Sequence, residues 1–235
     1  MALLGEGAMT LWFDIASAAS VEHDHWHTHE HLNERLSIPG FRRGTRWAAE
    51  DGSARYFVLY EVADLAVLES AAYLARLNDP SPWTGRMMPH YSGMTRALCR
   101  VVASRGAGLA QGVLTLKFSA APGRAVALDN WIAGTLLPAL AGKAGISGAH
   151  LLESALAPTM TREQQIRGHD QSVDHVLLVT AYATDALGEL ANAELRDDAL
   201  LAQGMAAGFE TRAFRVATSL TSAEAETPCN GARMQ

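Results

Sequence analysis

Residues 41–62 read FRRGTRWAAEDGSARYFVLYEV and contain two apolar-rich segments separated by the tetrapeptide Glu50-Asp51-Gly52-Ser53. Acidic residues followed by glycine are typical of a hairpin turn. We therefore predict that Phe41–Ala49 and Arg55–Val62 are antiparallel strands joined by this turn.

The second of these strands is apolar on both faces. Val58 and Tyr60 alternate with Phe57 and Leu59, so the side chains on both sides of the sheet are suited to burial. One layer of helices covers only one face of a sheet. The pattern thus predicts that a second sheet covers the other face.

Outward from the hairpin, the sequence predicts further strands and helices on each side. The predicted elements are strands at 9–15 and 94–103, helices at 21–37 and 64–78, and a loop at 79–85. The first helix ends before Ile38-Pro39-Gly40, and Asp64 is placed to cap the second. The order βαββαβ is typical of a ferredoxin-like unit, in which both helices lie on one face of a four-stranded sheet.

The same order recurs about 100 residues later, which is the size of one small domain. The second set comprises strands at 112–120, 148–155, 174–183 and 211–220, and helices at 128–144 and 185–204. We predict an α+β protein of two tandem ferredoxin-like halves, residues 9–103 and 112–220, whose sheets face each other within one chain. A glycine-rich linker joins the halves, and residues 221–235 are predicted to form a flexible tail.

Composition excludes several function classes. The chain has 235 residues, 49% of them hydrophobic and 19% charged, with a net charge of −6. Apart from Arg42, Arg43 and Arg46 no basic cluster stands out, so nucleic acid is not an expected partner. Apolar runs are too short to span a bilayer, and the N-terminus lacks the features of a signal peptide. We therefore expect a cytoplasmic protein whose two cysteines, Cys99 and Cys229, are thiols.

The most unusual segment is residues 21–36, VEHDHWHTHEHLNERL, which holds five of the nine histidines. On a helix, His23, His27 and His31 follow one another at intervals of four residues and form one stripe. His25 and His29 form a second pair, about 160° round the helix from the first.

Three interpretations of this stripe remain open. His27 and His31 could ligate a metal ion, with His90 as the best third ligand, although no HExxH motif is present. Alternatively, His27 or His31 could move a proton without a metal, with a nearby carboxylate setting its pKa. In the third interpretation the helix is polar and partly solvated, and Glu34 and Arg35 form caps and salt bridges.

A second dense region spans residues 73–91. Its loop carries Trp83, Met87, Met88, His90 and Tyr91, which is too apolar for a solvated connection. These residues could line a pocket or pack as ordinary core, and the same alternatives hold for Trp47 and Tyr60. The second half has fewer polar candidates, His150, His169, Asp170, Asp174 and His175, and we expect it to serve mainly as structural cover.

Three motifs carry a resemblance to known proteins. They are Trp26-x4-His31-x2-Glu34-Arg35-Leu36-x2-Pro39-Gly40-Phe41, then Tyr56-x3-Tyr60-Glu61, then Tyr73-x3-Leu77-Asn78-x-Pro80-x-Pro82-Trp83-Thr84. They resemble an uncharacterised bacterial group of the dimeric α/β-barrel superfamily, close to EthD-like proteins. The likeness covers residues 9–103, and the second half matches only in the order of its elements.

The resemblance implies a reaction class. The superfamily includes cofactor-free monooxygenases, polyketide cyclases, lactone isomerases, chlorite dismutase and dye-decolourising peroxidases. In several of them the cavity lies between helices and sheet, and a histidine transfers a proton or binds haem. The resemblance implies that His27, His31 and His90 are candidates for this role. The sequence departs from the expected apolar or acidic residues at His23, His25 and His29, which leaves metal binding open.

We therefore predict a cofactor-independent lyase, isomerase or cyclase that acts on an aromatic or polyketide-like substrate. His31 is the predicted general base, His27 or His90 its acid partner, and Glu34 would orient an imidazole. Arg35 or Arg43 would hold a developing oxyanion. The predicted substrate-binding residues are Trp26, Arg43, Trp47, Tyr60, Tyr73, Asn78 and Trp83.

Two alternatives to this function stay open: an enzyme that holds haem or a divalent metal through His27, His31 and His90, and a non-catalytic ligand-binding protein. A homodimer is also an open alternative, because symmetric dimers are the commonest oligomers.

Overall fold

The computed structural model describes residues 3–51, 53, 55–156, 160–168 and 170–225. The strands are β1 (Gly7–Ile15), β2 (Phe41–Ala49), β3 (Arg55–Val62), β4 (Tyr91–Gly106), β5 (Gly112–Phe118), β6 (Ile146–Leu156), β7 (His175–Ala181) and β8 (Glu210–Thr221). Helix α1 spans residues 20–36 and helix α4 spans 125–141. The shorter helices are α2 (Ala71–Asn78), α3 (Pro82–Met87), α5 (Arg162–Arg167), α6 (Asp185–Ala191), α7 (Asp197–Ala202) and α8 (Ser222–Ala225).

The eight strands form one closed antiparallel barrel in the order β1-β3-β2-β8-β5-β7-β6-β4. Within each half, the strand order is that of a ferredoxin-like sheet, β4-β1-β3-β2 and β8-β5-β7-β6. The halves join where β2 pairs with β8 and where β4 pairs with β6. Closure leaves no unpaired edge among these eight strands, and it is completed within one chain.

The barrel wall is buried on both sides, as the alternation in β3 predicts. Tyr60 and its even-numbered neighbours in β3 pack under the helices of the first half. Phe57 points into the barrel, where it stacks between Trp12 and Trp47 at ring-centroid distances of 4.9 and 5.2 Å. The interior of the barrel is therefore a packed aromatic and aliphatic core.

The duplication extends to details of the backbone. Helix α1 contains a π-helical turn at His27–His31, and helix α4 contains one at Ile132–Leu136. These turns lie 105 residues apart, like the strand starts Gly7 and Gly112. Shortly after each helix a glycine adopts a positive φ, 95° at Gly40 and 87° at Gly145. The two helices thus occupy matching positions in the two halves.

Short polar residues divide some predicted elements. The predicted helix at 64–78 is a 3₁₀ turn at Leu65–Glu69 followed by α2, because Ser70 is extended and its hydroxyl caps the Tyr73 amide. The predicted loop at 79–85 contains the start of α3, which Ser81 caps. The predicted helix at 185–204 is two helices, α6 and α7.

The connection between β6 and β7 crosses to the first half. Its helix α5 follows the capping residue Thr161, and the Arg162 amide donates to Asn78 Oδ1 at 3.1 Å. Further on, Gln171 exchanges backbone hydrogen bonds with Met94 and Arg96 of β4. The second half therefore covers part of the first. His169, which the sequence raised as a candidate, lies outside the described residues.

The start of the predicted flexible tail, residues 221–225, has regular secondary structure. Thr221 is still part of β8, and the helix Ser222–Ala225 follows it, with Ala225 packed against the core of the first half. Residues 226–235, including Cys229, lie outside the described part of the chain, whereas Cys99 is a buried free thiol in the barrel interior. No helix among the described residues is long and apolar enough to cross a membrane.

Candidate active site

The histidine stripe of α1 faces the sheet and is buried. His23, His27, His31 and Arg35 are 0, 2, 8 and 2% exposed. The rings of His23 and His27 lie 5.5 Å apart, and those of His27 and His31 lie 5.4 Å apart. The stripe is a row of contacting side chains between helix and sheet, which excludes the solvated-helix interpretation for these four residues.

His23 has hydrogen-bond partners on both ring nitrogens. Its Nε2 lies 3.1 Å from Tyr91 Oη, and its Nδ1 lies 3.3 Å from Asp24 Oδ1. Burial lowers the pKa of this imidazole, and the hydrogen bond to Asp24 partly offsets that effect. His23 therefore anchors the helix N-terminus to the sheet.

His27 and His31 each leave Nδ1 buried without a hydrogen-bond partner among the described residues. Burial lowers the pKa of both imidazoles well below the ordinary value, and the nearby positive charges of Arg46 and Arg35 lower it further. Both rings are therefore held in the neutral form at pH 7.

Trp26 fixes the position of His31. Its indole packs on the His31 ring at a centroid distance of 4.4 Å, and its Nε1 donates to Glu30 Oε1 at 3.0 Å. The same carboxylate accepts from the hydroxyls of Ser81 and Thr84 ahead of and within α3. Glu30 is thus a positioning residue that the sequence did not single out.

Arg35 is held by a residue of the other half. Its Nη2 lies 2.6 Å from each carboxylate oxygen of Glu163 in α5, and the two side chains are 2% and 4% exposed. Burial alone would lower the pKa of the Arg35 guanidinium, but the facing Glu163 carboxylate outweighs this and raises it. Arg35 Nη1 is buried and has no partner in the described part of the structure.

Two small chambers adjoin the stripe, with volumes of about 30 and 20 Å³. The first, which we call the polar chamber, is lined mainly by His31, Arg35, Tyr60, Tyr73, Arg96 and Arg167. The second, the apolar chamber, is lined mainly by Phe13, His27, Val58, Met88, Tyr91 and Met94. His31, Tyr60, Leu11 and Arg167 line both. Each chamber has room for a water molecule or one small functional group.

The sequence-predicted residues His27, His31, Arg35, Tyr60 and Tyr73 are brought together around these chambers, with Trp26 directly behind His31.

The structure does not bring His90 to this site. It ends a 3₁₀ turn after α3, and its side chain is exposed, while its backbone carbonyl accepts from the Ala16 amide. The predicted ligand set His27, His31 and His90 is therefore not assembled. Among the described residues, no group of three His, Cys, Asp or Glu side chains is arranged to hold a metal ion.

Glu34 does not orient an imidazole. It is half-buried on α1, one position before Arg35 and hence about 100° round the helix from it. Burial raises the pKa of its carboxyl. No hydrogen bond joins it to a histidine in the described ranges.

Arg43 and Trp47 lie on the opposite side of the barrel wall, which corrects their predicted place in the pocket. A β-bulge between Phe41 and Arg43 shifts the alternation of β2, so that both residues point into the barrel. There Arg43 Nε donates to Glu61 Oε1 at 2.6 Å. The β2 residue that faces α1 is Arg46, which donates to the Asp24 carbonyl and the Thr28 hydroxyl at 3.2 Å each.

Asn78 and Trp83 lie outside the chambers. The side chain of Asn78 is exposed and holds α5 through the Arg162 amide. Trp83 is partly exposed, and its Nε1 donates to Glu22 Oε1 at 3.2 Å. Its ring meets the edge of His25, which is exposed like His29. His25 and His29 thus lie on the outer surface of α1, where Trp83 packs against His25.

The second half provides an internal comparison for the stripe. The positions that match His23, His27, His31 and Arg35 in α4 are Leu128, Ile132, Leu136 and Leu140, and all four are buried. The strand position that matches Tyr60 is Val179, because Gly7 pairs with Val62 and Gly112 pairs with Ala181. The same helix with the same π turn folds on an apolar stripe. The polar stripe of the first half is therefore not a requirement of the fold.

Comparison with known proteins agrees on the fold. No family model matches the chain, and no curated protein matches it by sequence. An anthrone oxidase-like protein superposes with a TM-score of 0.64 at 12% identity, over 96% of this chain and 97% of that one. A candidate monooxygenase from Fusobacterium nucleatum subsp. nucleatum ATCC 25586 gives 0.61 at 9% identity, over 93% and 96%.

A candidate chlorite dismutase gives a TM-score of 0.51 at 12% identity, over 90% of this chain and 94% of that one. The chain has the dimeric α/β-barrel fold. The predicted fold class, tandem ferredoxin-like halves that build this barrel in one chain, is confirmed. At these identities the likeness concerns the architecture alone.

Proposed function

We propose that this α/β-barrel protein is a small-molecule enzyme that uses a buried neutral histidine as its general base. The observation that carries the proposal is the pair His27 and His31, each with an unpartnered buried Nδ1. A buried polar atom without a partner costs stability, and the second half avoids this cost with Ile132 and Leu136. Residues that lower stability without serving the fold are typical of functional sites.

The proposed step is proton abstraction next to a carbonyl group. His31 lines both chambers and accepts a proton from carbon, and the electron pair of that bond moves onto the carbonyl oxygen. Arg35 Nη1 and Tyr60 Oη, both buried and unpartnered in the described structure, are the donors for the resulting enolate. Return of the proton from the protonated His31 to another carbon of a conjugated enolate completes an isomerisation. In a cyclisation the enolate carbon instead bonds to a second carbonyl carbon of the same substrate, and His31 returns the proton to the resulting alkoxide oxygen. Neither reaction needs a co-reactant.

A second reaction starts from the same intermediate. The structures named as an anthrone oxidase-like protein and a candidate monooxygenase suggest oxygenation, with O₂ as co-reactant for the deprotonated substrate. The base would again be His31. The closer resemblance to EthD-like proteins rests on the sequence motifs and stays a prediction.

Haem is the cofactor that the resemblance raises, and the packing around the stripe tests it. Trp26, Tyr60, Met88 and Tyr91 are buried beside His27 and His31 and leave chambers of about 30 and 20 Å³. Pockets for larger ligands usually hold several hundred Å³ (roughly 300–1,000 Å³). The residues as packed do not fit a macrocycle.

The test is solvent-proton exchange. Anthrone, a cyclic 1,3-diketone and an aryl ketone are incubated with protein in D₂O, and loss of the exchangeable C–H signal is followed by NMR. We expect the wild type to accelerate exchange of at least one probe and His31→Leu to abolish the acceleration.

His29→Ala, which changes an exposed histidine of the same helix, is the matched control and should exchange at the wild-type rate. Undiminished exchange by His31→Leu would remove His31 as the base. Saturable binding of the probes without any exchange by the wild type would favour the ligand-binding alternative.

A further inference from the structure

The polar chamber carries a net positive charge. Three buried arginines surround it, Arg35, Arg96 and Arg167, with side chains 2, 5 and 7% exposed. They face two buried carboxylates, Glu163 and Asp170, at 4 and 5% exposure. Glu163 pairs with Arg35, while Asp170 serves both Arg167, at 2.7 Å, and Arg96, at 3.8 Å. One positive charge is therefore left without its own counter-charge.

The excess charge comes with free donors. Arg35 Nη1, Arg96 Nε and Arg167 Nε are all buried and have no hydrogen-bond partner in the described part of the chain. All three arginines line the polar chamber. Unpaired buried charge is costly, and a bound anion that accepts from these groups would relieve that cost.

The neighbouring groups do not neutralise the excess. Tyr73 Oη accepts from Arg96 Nη2 at 3.0 Å and is itself uncharged. Gln164 donates to Asp170 Oδ2, which occupies part of that carboxylate. Glu34 is half-buried and does not line the chamber, although the charge of Arg35 partly offsets the effect of burial on the pKa of its carboxyl. Arg76 pairs with Asp79.

The two chambers match a ligand that has an acid group at one end and a hydrocarbon group at the other. The polar chamber, at about 30 Å³, has room for one small acid group. The apolar chamber, at about 20 Å³, is lined partly by Phe13, Val58, Met88 and Met94 and has room for one small hydrocarbon group. His31 and Tyr60 line both chambers. A carbon that joins the acid group to the hydrocarbon group would thus lie beside the proposed base.

We propose that the polar chamber binds the carboxylate of a small organic monoanion whose hydrocarbon part extends toward the apolar chamber. The proposal deepens the proposed function, on which it rests, by naming the substrate class as a small enolisable carboxylic acid. Arginine suits this role because its planar guanidinium matches a carboxylate, and a single excess charge fits a single carboxylate better than a phosphate dianion.

Binding of such a ligand requires α5 to move outward. Helix α5 and its capping residue cover one side of the polar chamber, and the side chains that line it there are Thr161, Glu163, Gln164 and Arg167. Its ties to the first half include the Arg35–Glu163 pair and the hydrogen bond from the Arg162 amide to Asn78. Just after α5 the connection is anchored to β4, because Gln171 exchanges backbone hydrogen bonds with Met94 and Arg96. The required movement is therefore a shift of α5 relative to that anchored end.

The test compares two small probes that differ mainly in charge, propionate and propionamide, by isothermal titration calorimetry on the full chain. We expect the acid to bind about tenfold or more tightly than the amide, since charge-assisted hydrogen bonds are the stronger kind. Equal affinity for the two probes, or tighter binding of the amide, would overturn the proposal. This comparison uses only the wild-type protein.

Two arginine variants locate the effect. Arg167→Gln should abolish the preference for the acid. Arg100→Gln is the control, because Arg100 is 60% exposed and pairs with Glu153 on the surface. A preference retained in Arg167→Gln would overturn the assignment to this chamber. Arg96→Gln tests the same chamber if Arg167→Gln fails to fold.

The outcomes separate this inference from the proposed function. Binding of propionate that survives in His31→Leu, with no C–H exchange of any probe by the wild type, would support the anion site and overturn the base. C–H exchange of neutral ketones by the wild type, together with equal binding of the acid and the amide, would support the base and overturn the anion site.

Discussion

The guanidinium of Arg35 and the carboxylate of Glu163 meet across the two halves of the chain. Arg35 Nη2 lies 2.6 Å from both carboxylate oxygens, although the residues are 128 positions apart in sequence. The contact ties α5 of the second half to the histidine helix of the first. The candidate site is therefore built by both halves.

This pair predicts a non-additive response to mutation. Glu163→Leu alone should lower the free energy of unfolding by about 3–5 kcal/mol, because it leaves a buried guanidinium unpaired. The double variant Arg35→Leu and Glu163→Leu should recover most of the loss, since Leu140 is the natural residue at the matching position of α4. Urea unfolding of the wild type, both single variants and the double variant measures the coupling. Additive losses would contradict a buried ion pair.

Replacing the two unpartnered histidines by their second-half counterparts should not destabilise the protein. The variant His27→Ile and His31→Leu removes two buried unpaired nitrogens, so the free energy of unfolding should rise by about 1 kcal/mol or more, while proton exchange is lost. The reciprocal change Ile132→His is the control and should cost about 1–3 kcal/mol. A variant that loses stability would show that these imidazoles support the fold.

The neutral imidazoles also predict a dependence of stability on pH. Burial, followed by the charges of Arg46 and Arg35, holds the pKa values of His27 and His31 well below the unfolded value of 6.5. The unfolded chain therefore binds protons that the folded chain refuses as pH falls below 6.5. Stability is complete above that pH and is lost below it, by about 1.4 kcal/mol per pH unit for each imidazole.

Urea unfolding at pH 7.5, 6.5 and 5.5 tests this slope. The variant His27→Ile and His31→Leu should show a shallower decline than the wild type. It should not be flat, because burial also lowers the pKa of His23 and lowers that of His150 to about 4. Identical slopes in the two proteins would mean that the pair is not buried in neutral form.

Phenylalanine variants of Tyr60 and Tyr91 distinguish a hydroxyl proposed to serve function from one that supports the structure. Tyr60→Phe removes a hydroxyl without a partner in the described structure, so stability should be unchanged or higher while proton exchange slows. Tyr91→Phe removes the partner of His23 Nε2 and should cost about 1 kcal/mol. Urea unfolding and the NMR exchange assay measure both effects. Full exchange activity in Tyr60→Phe would exclude its hydroxyl as an oxyanion donor.

Local patterns predicted the strands well. The bounds of β2 and β3 agree with the sequence prediction, because the turn chemistry and the apolar alternation both act over a few residues. The burial of His27 and His31 on one stripe also follows from helical spacing. The helix at Pro82–Met87 was missed, since its signals are a single serine cap and a proline at its first position.

Other features depend on contacts that no local pattern reveals. The bulge in β2 turns Arg43 and Trp47 into the barrel, and nothing around Phe41 marks it in the sequence. Glu163 and Arg167 reach the site only because the β6–β7 connection crosses to the other half. The one available signal was the length of that connection, since long connections in compact domains often serve function.

The apolar stripe of the second half has a consequence for stoichiometry. A barrel assembled from two identical subunits would carry the same pocket twice, because any substitution appears in both copies. In this single chain the two repeats differ in sequence, and Leu128, Ile132, Leu136 and Leu140 are buried at the positions that match the histidine stripe. Under the proposed function the first repeat supplies the base and the second contributes α5, so a ligand titration should saturate at one equivalent per chain.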